Sequence, residues 1–251
     1  RISGIERLGF TMLEVKNLMF HPLENGLEKS IIQDVSFTVE NGETLVITGP
    51  NGGGKSTIAR LLMGIEKPDG GSILMDGVDI TNYSIAQRAN AGIGFAFQQP
   101  PRFKGMTVKR LLSLAAGYEM PENKCCDILK GGGLCAREYL EREVDATLSG
   151  GEMKRLEIAT VLAKSHKLCI FDEPEAGIDL WSFSMLIREF EKIHSKKAES
   201  LILISHQERI IQMADRIMVI EDGTIGAVGS REEILPRLLE KDDSCTCMNH
   251  K

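Results

Sequence analysis

The chain has 251 residues, 42% of them hydrophobic and 26% charged, with a formal net charge of −6. That length suffices for one large domain or one domain carrying a small subdomain, and so average a composition excludes disordered and fibrous classes. Scattered Lys and Arg on an acidic chain argue against nucleic acid as the main ligand, and no apolar run approaches the roughly 18–20 residues that cross a bilayer, so direct membrane insertion is not expected.

In chain order, Met12 opens the first strand-like run, 13–18, and residues 1–11 are expected to be a non-native or disordered start to a single domain spanning 12–239. Runs at 34–39 and 44–48 follow, joined by an Asn41-Gly42 turn, and suggest an antiparallel flap leading into a core strand. A glycine-rich loop at 49–57 then enters a helical pattern that runs through Met63 and stops at Gly64, a plausible cap. Residues 72–80 read as a hairpin around Asp76-Gly77, and 93–97 as a strand ending at Gln98-Gln99-Pro100-Pro101. From about 107 to 163 the pattern is mostly helical, broken by a loop-like stretch at 118–134 that contains Gly131-Gly132-Gly133; we assign about 99–165 to an inserted helical subdomain. Apolar strands return at 168–171, 201–204 and 217–220, alternating with helices. The expected fold is therefore α/β, a mostly parallel sheet with helices on both faces, an antiparallel flap and the helical insertion, ending in a polar tail at 240–251.

The cysteines stand at 125, 126, 135, 169, 245 and 247, without the regular framework of a small secreted domain, and no apolar leader opens the chain. Reduced thiols and a cytoplasmic location are expected. Cys245, Cys247 and His250 offer soft metal ligands, as do Cys125, Cys126 and Cys135, but adjacent Cys125 and Cys126 suit one tetrahedral site poorly and no two-pair zinc spacing appears.

The strongest local signal is Gly49-Pro50-Asn51-Gly52-Gly53-Gly54-Lys55-Ser56-Thr57, the G-x-x-x-x-G-K-[ST] pattern between strand and helix. Its glycines let backbone N–H groups wrap a phosphate at a helix N-terminus, Lys55 suits the β- and γ-phosphates, and the Ser56 hydroxyl suits Mg²⁺. The run Leu168-Cys169-Ile170-Phe171-Asp172-Glu173 is an apolar strand that delivers two carboxylates at its carboxyl end, where open α/β sheets bind ligands. Asp172 is suited to the outer sphere of Mg²⁺ and Glu173 to polarising an attacking water. Leu148-Ser149-Gly150-Gly151-Glu152 places a hydroxyl and glycine amides at the start of a helix, about 151–163, which makes both a helix cap and a second anion site.

With Ser149-Gly150-Gly151-Glu152 downstream of the phosphate loop, the chain resembles the ATP-binding cassette (ABC) family from about Leu13 to Leu239. The resemblance implies a P-loop NTPase core, ATP and Mg²⁺ as cofactors, hydrolysis of ATP, and a second copy of the chain in the ATP-bound state. Each site would combine the phosphate loop of one subunit with Ser149, Gly150 and Gly151 of the other. It further implies that Gln98, with Gln99 as competitor, senses Mg²⁺ and water, that His206 contacts the γ-phosphate, and that Asp179 lies on the loop crossing the dimer seam. Phe20 and His21 lie where the family often has an adenine-stacking aromatic, and neither falls clearly into its pattern.

Within the family, Lys154-Arg155-Leu156-Glu157-Ile158 after the signature, Gly94-Phe95-Ala96-Phe97-Gln98 before Pro100, and Arg209-Ile210 after Ser205-His206 are similar to the SufC-like ATPases of iron–sulfur cluster assembly. That subgroup implies a soluble SufB/SufD-like scaffold as partner, docked near 98–105. Pro174 is common instead in transporter subunits, whose partner is a transmembrane permease. A non-hydrolysing regulatory module is a third reading, opposed by the presence of Glu173 and His206.

Overall fold

In the computed structural model, which describes residues 11–24 and 26–243, the chain is built on two sheets and a helical lobe. It opens with β1 (Thr11–Phe20), two short strands β2 (Leu23–Glu24) and β3 (Leu27–Glu28), then β4 (Ile32–Glu40) and β5 (Thr44–Thr48). The helix α1 (Lys55–Met63) follows, then β6 (Gly70–Met75), β7 (Val78–Asp79), α2 (Ile85–Ala91) and β8 (Ile93–Ala96). The lobe comprises β9 (Phe103–Thr107), α3 (Val108–Ala116), α4 (Glu122–Gly131), α5 (Ala136–Tyr139), β10 (Glu143–Val144) and α6 (Gly150–Leu162). The chain closes with β11 (Leu168–Asp172), α7 (Leu180–Lys196), β12 (Ser200–Ile204), α8 (Glu208–Ile211), β13 (Arg216–Glu221), β14 (Thr224–Ser230) and α9 (Arg231–Asp243).

The main sheet has the order β14-β13-β5-β12-β11-β8 and is parallel except for its edge strand β14. Its inner strands are mostly apolar, with polar residues at their ends, as suits strands covered on both faces, and β5, β11 and β12 are buried at every position. The second sheet, β4-β1-β6-β7, is antiparallel and alternates buried with exposed residues along β4. One core lies between the two sheets and α1, with Leu13, Val35, Leu45, Ile58 and Ile170; another lies on the opposite face of the main sheet, where Phe171, Phe190, Leu203 and Ile217 meet α7. The lobe has its own core of Val108, Leu112, Leu129, Val144 and Leu156. The helix α6 belongs to two of these cores, since Ile158 packs under the sheet while Leu156 and Ala159 pack in the lobe.

Several boundaries differ from the sequence reading. The stretch 118–134 is not an open loop: α4 occupies Glu122–Gly131, and its Gly132 caps the end by donating to the Ile128 carbonyl. This helix buries only Cys125 and Leu129, one turn apart, too narrow a stripe to stand out beside three glycines. At the start, Thr11 already pairs with Glu40, so β1 begins before Met12. At the end, α9 continues to Asp243 through Pro236, beyond the expected limit of 239. Cys245, Cys247 and His250, like residues 1–10, lie outside the described residues.

Candidate functional site

The carboxyl ends of β5 and β11 and the N-terminus of α1 meet at a cavity of about 640 Å³. The loop after β5 can turn there only because it is glycine-rich. A Cβ on Gly49, at φ 128°, would sit 2.1 Å from the Ile220 carbonyl oxygen of β13, and Gly54 caps α1 at φ 105°. Gly53 donates to the Pro50 carbonyl (3.2 Å) and accepts from the Gly223 N–H (3.0 Å), which pins the loop to the β13–β14 turn. Asn51, Gly52, Gly54, Lys55, Ser56 and Thr57 line the cavity.

Lys55 is buried, and its ammonium donates to the carbonyls of Gly49 (2.7 Å) and Pro50 (2.8 Å). Burial lowers its pKa, while the nearby Glu173 and Asp172 carboxylates act in the opposite direction. Ser56 donates its hydroxyl to Asp172 at 3.0 Å. Asp172 is buried at the end of β11, and desolvation raises its pKa although the Ser56 bond opposes the shift. The next residue, Glu173, takes φ 47°, a left-handed conformation that costs a non-glycine residue about 1–3 kcal/mol. Its carboxylate accepts from the Gln98 amide at 2.8 Å. The hydroxyl, carboxylate and amide oxygens of Ser56, Asp172 and Gln98 form a hard donor set that fits Mg²⁺.

Of the competing glutamines, Gln98 lines the main cavity and Gln99 only a smaller neighbouring one beside Arg60 and Phe97. His206 follows β12, and its pKa is lowered, first by partial desolvation and then by the Lys55 ammonium, which favours the neutral ring. Its neighbour Ser205 donates to Glu175 at 2.6 Å.

Ser149, Gly150, Gly151 and Asp179 do not line this cavity. Ser149 caps α6 in a reciprocal box with Glu152: the Ser149 N–H donates to the Glu152 carboxylate (2.6 Å) and the Glu152 N–H to the Ser149 hydroxyl (3.2 Å). Tyr139 also donates to Glu152, fastening the box to the lobe. Gly151 must be a glycine because a Cβ there would meet the Gly177 carbonyl oxygen at 2.4 Å. Asp179 caps α7, accepting from the N–H groups of Trp181 (3.1 Å) and Ser182 (3.0 Å). The signature and the loop before α7 thus form one surface, with Leu180 and Trp181 exposed beside it.

The cavity is also lined by residues that the sequence reading missed, Lys29, Ser30, Ile31 and Gln33, with Asp222 and Gly223, whose carbonyls accept from the Gln33 side-chain amide (3.2 Å) and backbone N–H (2.8 Å) respectively. Among the described lining residues there is no aromatic. Phe20 packs against the core, and the His21 backbone donates to Asp69. The Asp222-Gly223 pair just after the strand pattern at 217–220 was the one available signal. Cys125 is fully buried in the lobe, its thiol pushed up by burial, and Cys135 precedes α5. Among the described residues no cluster of three or more His, Cys, Asp or Glu could hold a metal ion.

A family model described as ABC transporter matches residues 32–176. An uncharacterized ABC transporter ATP-binding protein of Methanocaldococcus jannaschii is 41% identical over 214 residues, 82% of this chain and 85% of the relative. The sulfate/thiosulfate import ATP-binding protein CysA of Bacillus cereus is 33% identical over 213 residues, 81% of this chain; the match spans 58% of CysA, less than two thirds of its length. In fold, the chain is similar to an ATP-binding cassette solved as a dimer with ADP and Pi, at a TM-score of 0.80 and 21% identity, covering 88% of this chain and 99% of that one.

Proposed function

We propose, starting from the fact that this chain belongs to the ABC transporter ATPase family, that it is the nucleotide-binding subunit of a membrane transporter, closing on ATP as a two-fold dimer to change the shape of a permease. The membership makes it an ATPase, producing ADP and phosphate. The finer assignment to a transporter takes its support from relatives named as transporter ATP-binding proteins, CysA among them. The iron–sulfur scaffold reading rests on the stretches 154–158, 94–98 and 205–210, and we keep it second because the relatives are named as transporter ATP-binding proteins.

The observation that carries the chemistry is the meeting of Lys55, Ser56, Gln98 and Glu173 in one cavity. The loop amides and Lys55 would bind the β- and γ-phosphates, and Asn51 would line their path. Ser56, Asp172 and Gln98 would hold Mg²⁺, which when bound spreads the charge developing on the transferred phosphoryl group. Glu173, held by the Gln98 amide, would orient the attacking water and take its proton. His206, neutral and close to Lys55, would donate to the γ-phosphate. Ser149, Gly150, Gly151 and Asp179 would complete the site of a second copy, since they lie away from the cavity of their own chain.

Co-purification on the tagged full chain tests the partner. A multi-span protein recovered only from detergent-solubilised membranes is the expected result and would place the chain at the cytoplasmic face of a membrane. A soluble SufB/SufD-like protein recovered with or without detergent would replace the transporter reading by the scaffold one.

A further inference from the structure

Two charged side chains on α6 are as buried as the core around them: Lys154 is 1% exposed and Glu157 8%. The Lys154 ammonium donates to the carbonyl of Phe97, and to that of Asp172 at 2.9 Å. Glu157 accepts from the Phe97 N–H at 2.8 Å, and its other oxygen lies 3.7 Å from the lysine nitrogen with no hydrogen-bond partner. Both backbone groups of Phe97 and the carbonyl of Asp172 therefore end on one ion pair. The place is distinctive, because the pairing of β8 with β11 stops at Phe171↔Ala96, one residue short of both. Where the sheet ladder ends, α6 takes over the exposed backbone.

The next residues along the two strands are Gln98 and Glu173, which bond to each other at 2.8 Å. A ring closes from Lys154 through Phe97 and Gln98 to Glu173 and back through Asp172. A buried ion pair is a poor way to gain stability, since its desolvation offsets most of its attraction and an apolar pair of similar volume commonly does as well. Burial here raises the Glu157 carboxyl to about 7 and lowers the Lys154 ammonium, the mark of charges kept at a cost. What an apolar pair could not do is bind two carbonyls and one N–H at fixed positions, a task for which an ammonium has three donors and a carboxylate several acceptor sites.

We infer that Lys154 and Glu157 are positioning residues for ATP hydrolysis, which hold Gln98 against Glu173 and tie both to the helix that begins at Ser149. A shift of α6 when its N-terminus meets a nucleotide then reaches the water-orienting pair through two hydrogen-bonded carbonyls, without passing through the phosphate loop. The inference rests on the ATPase assignment and on Glu173 acting on water.

The test compares the purified full chain with Lys154→Met, Lys154→Gln and Glu157→Met, measuring kcat and KM for Mg-ATP together with the thermal midpoint. Wild-type turnover checks the underlying reading, independently of the variants. Lys154→Met fills the space without donors, and kcat is expected to fall about tenfold or more with KM changed no more than about twofold, since sub-ångström misplacement of a reacting group is costly. Lys154→Gln can donate to both carbonyls, and is expected to recover a large part of that loss. A purely structural role would lower the midpoint of Lys154→Met without splitting kcat from KM. Unchanged kcat in a folded Lys154→Met, or equal loss in Lys154→Met and Lys154→Gln, overturns the inference. Should Lys154→Met not fold, Glu157→Met, which leaves the Phe97 N–H without its acceptor, decides: a lower kcat at unchanged KM supports the positioning role, and wild-type kcat overturns it.

Discussion

The phosphate-loop side of the molecule and its signature side are both helix N-termini prepared for an anion, yet they are built differently. At α1 the loop amides, Lys55, Ser56 and the acidic end of β11 converge on one cavity. At α6 the cap is satisfied within the chain by Glu152, which Tyr139 holds in turn, and its residues do not line the cavity at α1. The first side is a nearly complete binding site and the second a surface. A chain that carries both halves without bringing them together needs another copy to use the second, and that is the physical content of the proposed two-fold closure.

Substitutions can break this contrast from either side. The largest effect is expected from Glu173→Gln, which removes the base while keeping an acceptor for Gln98; turnover measured at saturating Mg-ATP should fall by about 10²–10⁴, with ATP binding retained. Next, Lys55→Ala should weaken ATP binding to the isolated chain by roughly ten- to a hundredfold, because a buried ammonium is lost from beside the phosphates. Ser149→Arg should leave that single-chain affinity close to wild type, as titration would show, yet abolish turnover. Equal loss of affinity in the last two variants would mean that the contrast is false. The smallest effect belongs to Asp179→Ala, which removes the cap of α7 and should lower the thermal midpoint by about 2–4 °C, whereas Asp179→Asn, still able to cap, should not.

The same contrast governs how much was legible in the sequence. The phosphate loop, the strand Leu168–Asp172 and the signature are runs of adjacent residues whose chemistry is local, so their place on strand, loop or helix could be read directly; β5 and the end of α1 at Gly64 agree with the structure. The ring around Lys154 was not legible, because its partners are backbone groups of Phe97 and Asp172 on two distant strands. In the sequence, Lys154 and Glu157 served only as a resemblance. The part of the cavity lined by Lys29, Ser30 and Ile31 was hidden for a similar reason: these residues carry no pattern, and Asp222 comes beside them only through the fold. The names of the relatives favour a permease over the soluble scaffold as the proposed partner, a choice that depends on surfaces of another protein and that no local chemistry in this chain dictates.

The central claim is that the signature acts on the nucleotide of a second copy, and the mass of Glu173→Gln in solution tests it most directly. With Mg-ATP, light scattering should give twice the single-chain mass, and adding Ser149→Arg to the same chain should return it to the single-chain value while ATP remains bound. A Glu173→Gln variant that stays a single chain at saturating Mg-ATP, or a dimer that Ser149→Arg leaves intact, would contradict the account.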